Sequence, residues 1–514
     1  MKKWISLILL AIVLALPNPG IVVGQGDELT LVPFTDESFG IQGVVPDGWQ
    51  EIAPGVYARG NGPTDVVLVA EQATPSTADA TLTALLPQLG LTAAPESVGT
   101  LDTDTLSWTL YRVDVPSPAL TISVDLALAE ADGKTYIVVM QVGSDEYDAL
   151  HEAVFLPVLQ ALAPYAPEPV EVPYVVEDVT FANGDITLAG TLTMPDVTGP
   201  HPVVILVTGS GPQDRDESLA PVADIKPFAL IADHLTRNGI AVLRYDDRGV
   251  GESIGEVDGT IADYATDTAA AIDYLLTRPE IDPNQIGILG HSQGGIIAAM
   301  LGAQNSHVAF IIGMAGPAVN GRDLLLVQNE RLLVAEGATE TQVAEQLAFV
   351  SEFFDQLESG ADEATIYQLV ADHTRAQIEA LSDDQKEALG DIDSYVQQST
   401  DAFMGQYNSQ WFLSFLQSDP GPDWAQVTVP VLGLFGGNDV QVDATQNATA
   451  LEEILTTAGN SDFQIVTLPD ANHLFQAAQT GAVSEYGVLE QEFTPDFLPT
   501  LTDWLLAHLT LATQ

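Results

Sequence analysis

From about residue 174 the chain alternates between short, wholly apolar runs and longer stretches of helical spacing. The runs at 203–208, 240–245, 286–289 and 308–312 have the continuous apolar character of strands buried on both faces. Between them, 228–238, 261–276 and 296–301 carry apolar residues at helical intervals, and Gly239 stops the first of these. Two further strand-like runs, 175–181 and 186–194, come before the series. This alternation predicts an α/β fold, a parallel sheet covered on both faces. Residues 318–424 interrupt it and read as helix throughout: Leu324, Leu325, Val327 and Leu332, then Val343, Leu347, Phe353 and Leu357, have helical spacing. Strands resume at 429–435 and 463–468, and 498–509 closes the chain as a helix. A helical block inserted between two strands of such a sheet is expected to be a lid over an active site. The alternative is a decoration that only buries a sheet face.

The residues before 174 have a different rhythm. Residues 27–163 read as a small α+β domain. It has strand-like runs at 41–45, 66–69, 106–115, 120–128 and 134–142, a hairpin turn at Asp132-Gly133, and a helical stretch at 144–162. The opening Phe39-Gly40-Ile41 and Pro46-Asp47-Gly48-Trp49 faintly resemble the start of PsbP-like domains. No acid–base constellation is evident in this part. Pro164, Pro167, Pro169 and Pro173 mark 164–173 as a semi-rigid linker, with the domain boundary near 172 and the second domain running over 174–514. At the start, Met1-Lys2-Lys3 is followed by an apolar run from Trp4 to Leu16, then Pro17-Asn18-Pro19-Gly20 and the small residues around Gly24. This pattern is that of a Sec-type signal peptide over 1–24, and so of a secreted or cell-envelope protein. The run is short for a membrane span of about 20 residues, so cleavage is expected, leaving no stable membrane anchor.

Charge narrows the class of partner. Asp and Glu number 72 against 15 Lys and Arg in 514 residues, a formal net charge of −57. Binding to nucleic acid or to an anionic membrane surface needs clustered basic residues, which are missing here. Hydrophobic residues make up 46% of the chain, so the charge does not signal disorder. Cysteine is absent, which removes thiolate nucleophiles, disulfides and Cys-ligated metal sites. No cofactor is implied. The inserted block 318–424 holds 20 acidic and 4 basic residues.

The segment Ile286 to Ala299 carries the chemistry. It places Gly290-His291-Ser292-Gln293-Gly294 between an apolar strand and an Ala-rich helix start. On such a strand–turn–helix a serine is held at a sharp turn, small residues two before and two after let the backbone pass closely, and the helix N-terminus faces developing negative charge. A serine still needs a base, and the base an orienting acid. In chain order the acid should come next and the histidine last. Asp439 stands in the glycine-rich turn just past the strand 429–435, and His473 just past the strand 463–468, the only one of eight histidines after a late strand. Asp443 and Asp470 compete for the acid's role, Asp470 reading more as a turn residue. His291, within the turn, reads as support for it. The oxyanion donors are expected from the Gln293 N–H and from the glycine-rich turn after the third strand, at Ser210 with Gly211 next.

These residues resemble the α/β-hydrolase family. Gly209-Ser210-Gly211-Pro212-Gln213-Asp214-Arg215-Asp216-Glu217 and Arg244-Tyr245-Asp246-Asp247-Arg248-Gly249-Val250-Gly251-Glu252-Ser253 resemble EstD-like bacterial carboxylesterases over about 174–514, insertion included. The resemblance implies an α/β-hydrolase fold with a helical lid and cofactor-free hydrolysis of short- to medium-chain carboxylic esters. Many relatives carry histidine where this chain has Thr208, a departure from the family's pattern in the support of the turn. Asp247 and Arg248 are expected to tie loops together through charge pairs. The expected substrate is a small neutral ester, since an acidic lid would repel anions. A serine peptidase, a thioesterase and a non-catalytic binding protein on the same scaffold are the alternatives.

Overall fold

A computed structural model describes residues 29–512, apart from 37–38, 60–66, 75, 87–90, 92, 117–120, 132, 166–170, 220–221, 224, 383–385, 387–388, 390 and 408. The signal-peptide expectation over 1–24 lies outside these residues, as do Asp132 of the expected hairpin turn and 166–170 of the Pro-rich stretch. The chain forms two compact units, 1–170 and 171–514.

The first unit is built on a seven-stranded antiparallel sheet. Its strands run in the spatial order Gln50–Ala53, Val56–Ala58, Leu68–Thr74, Lys134–Gly143, Thr121–Ala131, Ser107–Pro116, Ser97–Asp102. Alternation along Thr121–Ala131 sends Ile122, Val124, Leu126 and Leu128 to one core, shared with Leu82 and Leu85 of helix Ala78–Leu85. It sends Ala127 and Ala129 to the other face, under Val154, Phe155, Val158 and Leu159. Those four lie on the predicted C-terminal helix, which contains a π-helical turn over His151–Phe155. A second, three-stranded sheet joins Leu31–Asp36, Ile41–Pro46 and Ala163–Pro164. The sequence reading missed Leu31–Asp36, Gln50–Ala53, Val56–Ala58, Ser97–Asp102 and the helix Ala78–Leu85. These elements are short or, as in Ser97–Asp102, mostly exposed, so burial leaves little period in them.

The second unit follows the predicted alternation: β1 (Tyr174–Asn183), β2 (Ile186–Pro195), β3 (His201–Val207), α1 (Pro227–Arg237), β4 (Ala241–Tyr245), α2 (Ile261–Leu276), β5 (Ile281–His291), α3 (Gln293–Gln304), β6 (Val308–Met314). Among the described residues, the inserted helices are α4 (Gly321–Ala335), α5 (Glu340–Glu358), α6 (Glu363–Glu379), α7 (Ile392–Tyr407), α8 (Gln410–Leu416) and α9 (Gly421–Trp424). Then come β7 (Val431–Gly436), α10 (Ala444–Ala458), β8 (Phe463–Leu468) and α11 (Phe497–His508). The sheet order is β1-β2-β4-β3-β5-β6-β7-β8. β1, β2 and β4 pair antiparallel, and every pair from β4 to β8 is parallel. Val203 to Ile205 on β3 and Ile286, Ile288 and Leu289 on β5 are fully buried, which explains their unbroken apolar runs. The insertion has a core of its own, in which Phe349, Phe353, Phe354, Val370, Met404 and Phe412 pack together. Its two ends meet, the Gly321 N–H donating to the Ser418 carbonyl at 2.8 Å.

Candidate active site

The turn between β5 and α3 puts Ser292 at φ +50°, ψ −119°. For a residue with a side chain that backbone is strained, so its neighbours must hold it. The Ser292 N–H donates to the Met314 carbonyl at the end of β6 (2.9 Å), and its carbonyl accepts from Gly295 (2.8 Å). Glycine is required on either side. A Cβ on Gly290 would sit 2.0 Å from the Gly294 carbonyl oxygen, and one on Gly294 2.3 Å from that of Val207. Gly294→Ala is therefore expected to push α3 off the end of β3 and cost about 1–3 kcal/mol or more. A urea melt gives the check, and an unchanged midpoint would contradict this packing.

Asp439 and His473 are brought together from the ends of β7 and β8. His473 Nδ1 lies 2.8 Å from Asp439 Oδ2, and both side chains are almost fully buried. Asp439 Oδ1 accepts the backbone N–H groups of Gln441 and Val442, at 2.8 and 2.9 Å. With Nδ1 engaged, Nε2 is the ring atom left to take up a proton. The competing acids are placed elsewhere. Asp443 caps α10 and pairs with Arg331 at 3.0 Å, and Asp470 is exposed.

Beyond β3, Gly209 lies against the serine; a Cβ there would be 3.3 Å from that of Ser292. The Thr208 hydroxyl donates to Asp247 Oδ1 (2.9 Å), and the Gln213 N–H donates to Oδ2 (3.0 Å). Asp247 thus does the loop-tying through neutral donors, while the charge pairs are those of its neighbours, Arg248 with Asp267 and Asp246 with Arg215, each at 2.7 Å. Burial pushes Asp247 up to about 7, against the lowering pull of those two donors. The Gly209 N–H is bound to Glu217 Oε1 at 2.8 Å, so it cannot serve a substrate, and Ser210 is the next amide along the turn. Gln293 is the first residue of α3, where an N–H has no intrahelical acceptor.

Three contacts were not evident from the sequence. Glu217 Oε1 also lies 2.8 Å from His291 Nδ1, and His291 Nε2 lies 3.0 Å from the His473 carbonyl oxygen. Both ring nitrogens of His291 are thereby occupied, in keeping with a supporting place in the turn. From the insertion, the Trp411 indole N–H donates to the side-chain oxygen of Gln293. Among the described residues, the four non-glycine positions with positive φ are Glu217, Ser292, Ala315 and Phe475. Each belongs to a segment that bears or touches this site.

The first unit holds a polar cluster that the sequence reading did not anticipate. Buried Asp125 accepts the Tyr147 hydroxyl and lies beside His151 Nδ1, each at 2.7 Å. Arg112 covers the Tyr147 ring. The members come from two strands and a helix, so no local spacing announces them.

Comparison with known proteins bears on the second unit. The family model described as serine aminopeptidase, S33, matches residues 224–477, which include Ser292, Asp439 and His473. The esterase EstD of Thermotoga maritima is 27% identical over 308 residues, 59% of this chain and 62% of that protein; the chain thus spans less than two thirds of this relative's length. YtaP of Bacillus subtilis, which is named as a hydrolase, is 28% identical over 26% of this chain and 48% of its own. Among solved structures, an esterase of Pyrococcus furiosus is similar at 14% identity and a TM-score of 0.38, over 65% of this chain and 93% of its own.

Proposed function

We propose that this chain, an α/β hydrolase, is a serine carboxylesterase in which Ser292 is the nucleophile, His473 the base and Asp439 the acid that orients it. The observation that carries the reading is the buried Asp439–His473 pair, 2.8 Å apart, at the same end of the sheet as a serine on a strained strand–helix turn. The Ser292 oxygen attacks the ester carbonyl carbon as His473 Nε2 takes its proton. The negative charge on the carbonyl oxygen is met by the Gln293 and Ser210 N–H groups. The bond to the alcohol breaks, and His473 gives the proton to the departing oxygen. A water then loses a proton to His473 and attacks the acyl carbon. The carboxylic acid leaves, and Ser292 regains its proton.

The insertion acts as the lid over this centre. α8 reaches the nucleophile's helix through Trp411. Its first amides, Gln410 and Trp411, donate to Asp258 at 3.3 and 3.2 Å, and the Ser414 hydroxyl accepts the Ile261 N–H at 3.1 Å. On its other flank, Arg331 of α4 pairs with Asp443, and Glu336 accepts from the Ser484 hydroxyl at 3.1 Å. Its acidic composition supports a neutral substrate.

Turnover of p-nitrophenyl acetate, butyrate and octanoate, with fluorophosphonate labelling mapped by peptide mass, tests the reading. Hydrolysis of at least the shorter esters and a label on Ser292 are expected; turnover of aminoacyl p-nitroanilides alone would favour a peptidase. Trp411→Ala should open the lid wall beside Gln293 and raise the octanoate-to-acetate ratio of kcat/KM by about 10-fold or more. An unchanged ratio in a folded variant would mean that Trp411 does not limit the acyl chain.

A further inference from the structure

A backbone carbonyl oxygen can only accept a hydrogen bond, so the His291 Nε2 that faces the His473 carbonyl at 3.0 Å must carry a proton. The other ring nitrogen, Nδ1, faces Glu217 Oε1, which already accepts the Gly209 N–H. Between them, the two side chains therefore hold two protons. Either the imidazole is doubly protonated against a carboxylate, or a neutral ring accepts from a carboxylic acid. In the second case Oε1 would have to donate to Nδ1 while accepting from Gly209, and no bond would be charge-assisted. In the first, two N–H groups converge on one anionic oxygen, the stronger arrangement.

We propose that Glu217 and His291 are a carboxylate–imidazolium pair that positions two loops on the nucleophile's turn: the one bearing the oxyanion donor Ser210 and the one bearing the base His473. Burial pulls the His291 ring down, but the Glu217 carboxylate and the carbonyl of His473 outweigh it, and the ring stands above its ordinary range. Asp439, behind His473, adds in the same direction. Glu217 is itself held under strain at φ +56°, with its N–H on the Asp214 carbonyl at 2.9 Å. Its second oxygen is buried with no hydrogen-bond partner among the described residues. A carboxylate kept in that state is placed for what Oε1 does. His291 and His473 also face each other, their ring centroids 4.7 Å apart. The pair is a positioning pair; its kinetic consequence, and only that, rests on the esterase reading above.

Glutamine at 217 separates this from a merely space-filling role. If its oxygen faces His291, the uncharged ring can donate from Nδ1 but no longer from Nε2, and the His473 loop is released. If its amide nitrogen faces the ring, the Gly209 N–H loses its acceptor. Glutamine can serve either loop but not both.

Three measurements on the full chain decide the matter. The ring nitrogens of 15N-labelled histidine in the Ser292→Ala protein at pH 8 should show one ring protonated at both positions, and Glu217→Gln should abolish that signal. Hydrogen exchange followed by mass spectrometry should rise in Glu217→Gln for peptides covering 208–214 or 470–476, while 286–290 stays protected. Turnover by Glu217→Gln should fall about 10²-fold in kcat with KM little changed. The first two need no turnover, so they stand even if no ester is hydrolysed by the native chain, an outcome that would sink the esterase reading alone. Only singly protonated rings at pH 8, or exchange unaltered in both loops, would overturn the pair.

Discussion

Alanine in place of Ser292 is expected to lower kcat for any hydrolysed ester by about 10⁶-fold, with the melting curve essentially unchanged. The size follows from the site's division of labour. Without the Ser292 oxygen no acyl intermediate can form, and His473 has no bound proton to move, so the whole relay falls together. The small change in stability follows from how the turn is held. The Ser292 N–H and carbonyl are tied to Met314 and Gly295 through the backbone, and alanine keeps both bonds. Steady-state turnover, with loss of fluorophosphonate labelling at this position, gives the check. A variant that retains more than about a hundredth of the native rate would place the nucleophile elsewhere.

Asparagine in place of Asp439 should lower kcat by about 10⁴-fold, through a different route. In the native site Oδ1 is fixed by two backbone N–H groups, from Gln441 and Val442, which only an acceptor can satisfy. Asparagine must keep its oxygen there, which turns its NH₂ toward His473 Nδ1. That ring nitrogen then has to accept, and the proton moves to Nε2, the atom that should receive the Ser292 proton. The imidazole stays in place in the wrong tautomer. KM for p-nitrophenyl butyrate should change little, because no substrate contact is lost. A fall of less than about 10-fold would mean that His473 is oriented by another group.

What could be read from the sequence follows the range of the forces involved. The strands β3, β5, β6 and β7 were plain because burial on both faces demands an uninterrupted apolar run, and α2 because its apolar face repeats at helical intervals, a local signal. Ser292, Asp439 and His473 could be picked out as candidates because each stands at a strand end, and strand ends are legible. Glu217 could not be given a part: its partner His291 lies 74 residues away, and its positive φ leaves no mark in composition. Trp411 and Gln293 are 118 residues apart, in elements that helical spacing predicts separately without saying how they meet. Asp247 was expected to tie loops by charge and instead accepts two uncharged donors, a distinction that depends on Thr208 and Gln213 folding back over it. The same limit hid Asp125, Tyr147 and His151 in the first unit, a cluster assembled across a sheet and a helix.

The bond between Gly321 and Ser418 gives the insertion the topology of a side branch: it leaves the sheet and returns at nearly one point. A segment whose ends are already joined adds little closure entropy to the scaffold that carries it, and this one brings its own core of Phe349, Phe353 and Phe412. On the proposed reading, reaction centre and substrate filter can therefore change independently. A branch of different length, charge or aromatic content, grafted at the same two residues, would give a new specificity to an untouched Ser292, Asp439 and His473.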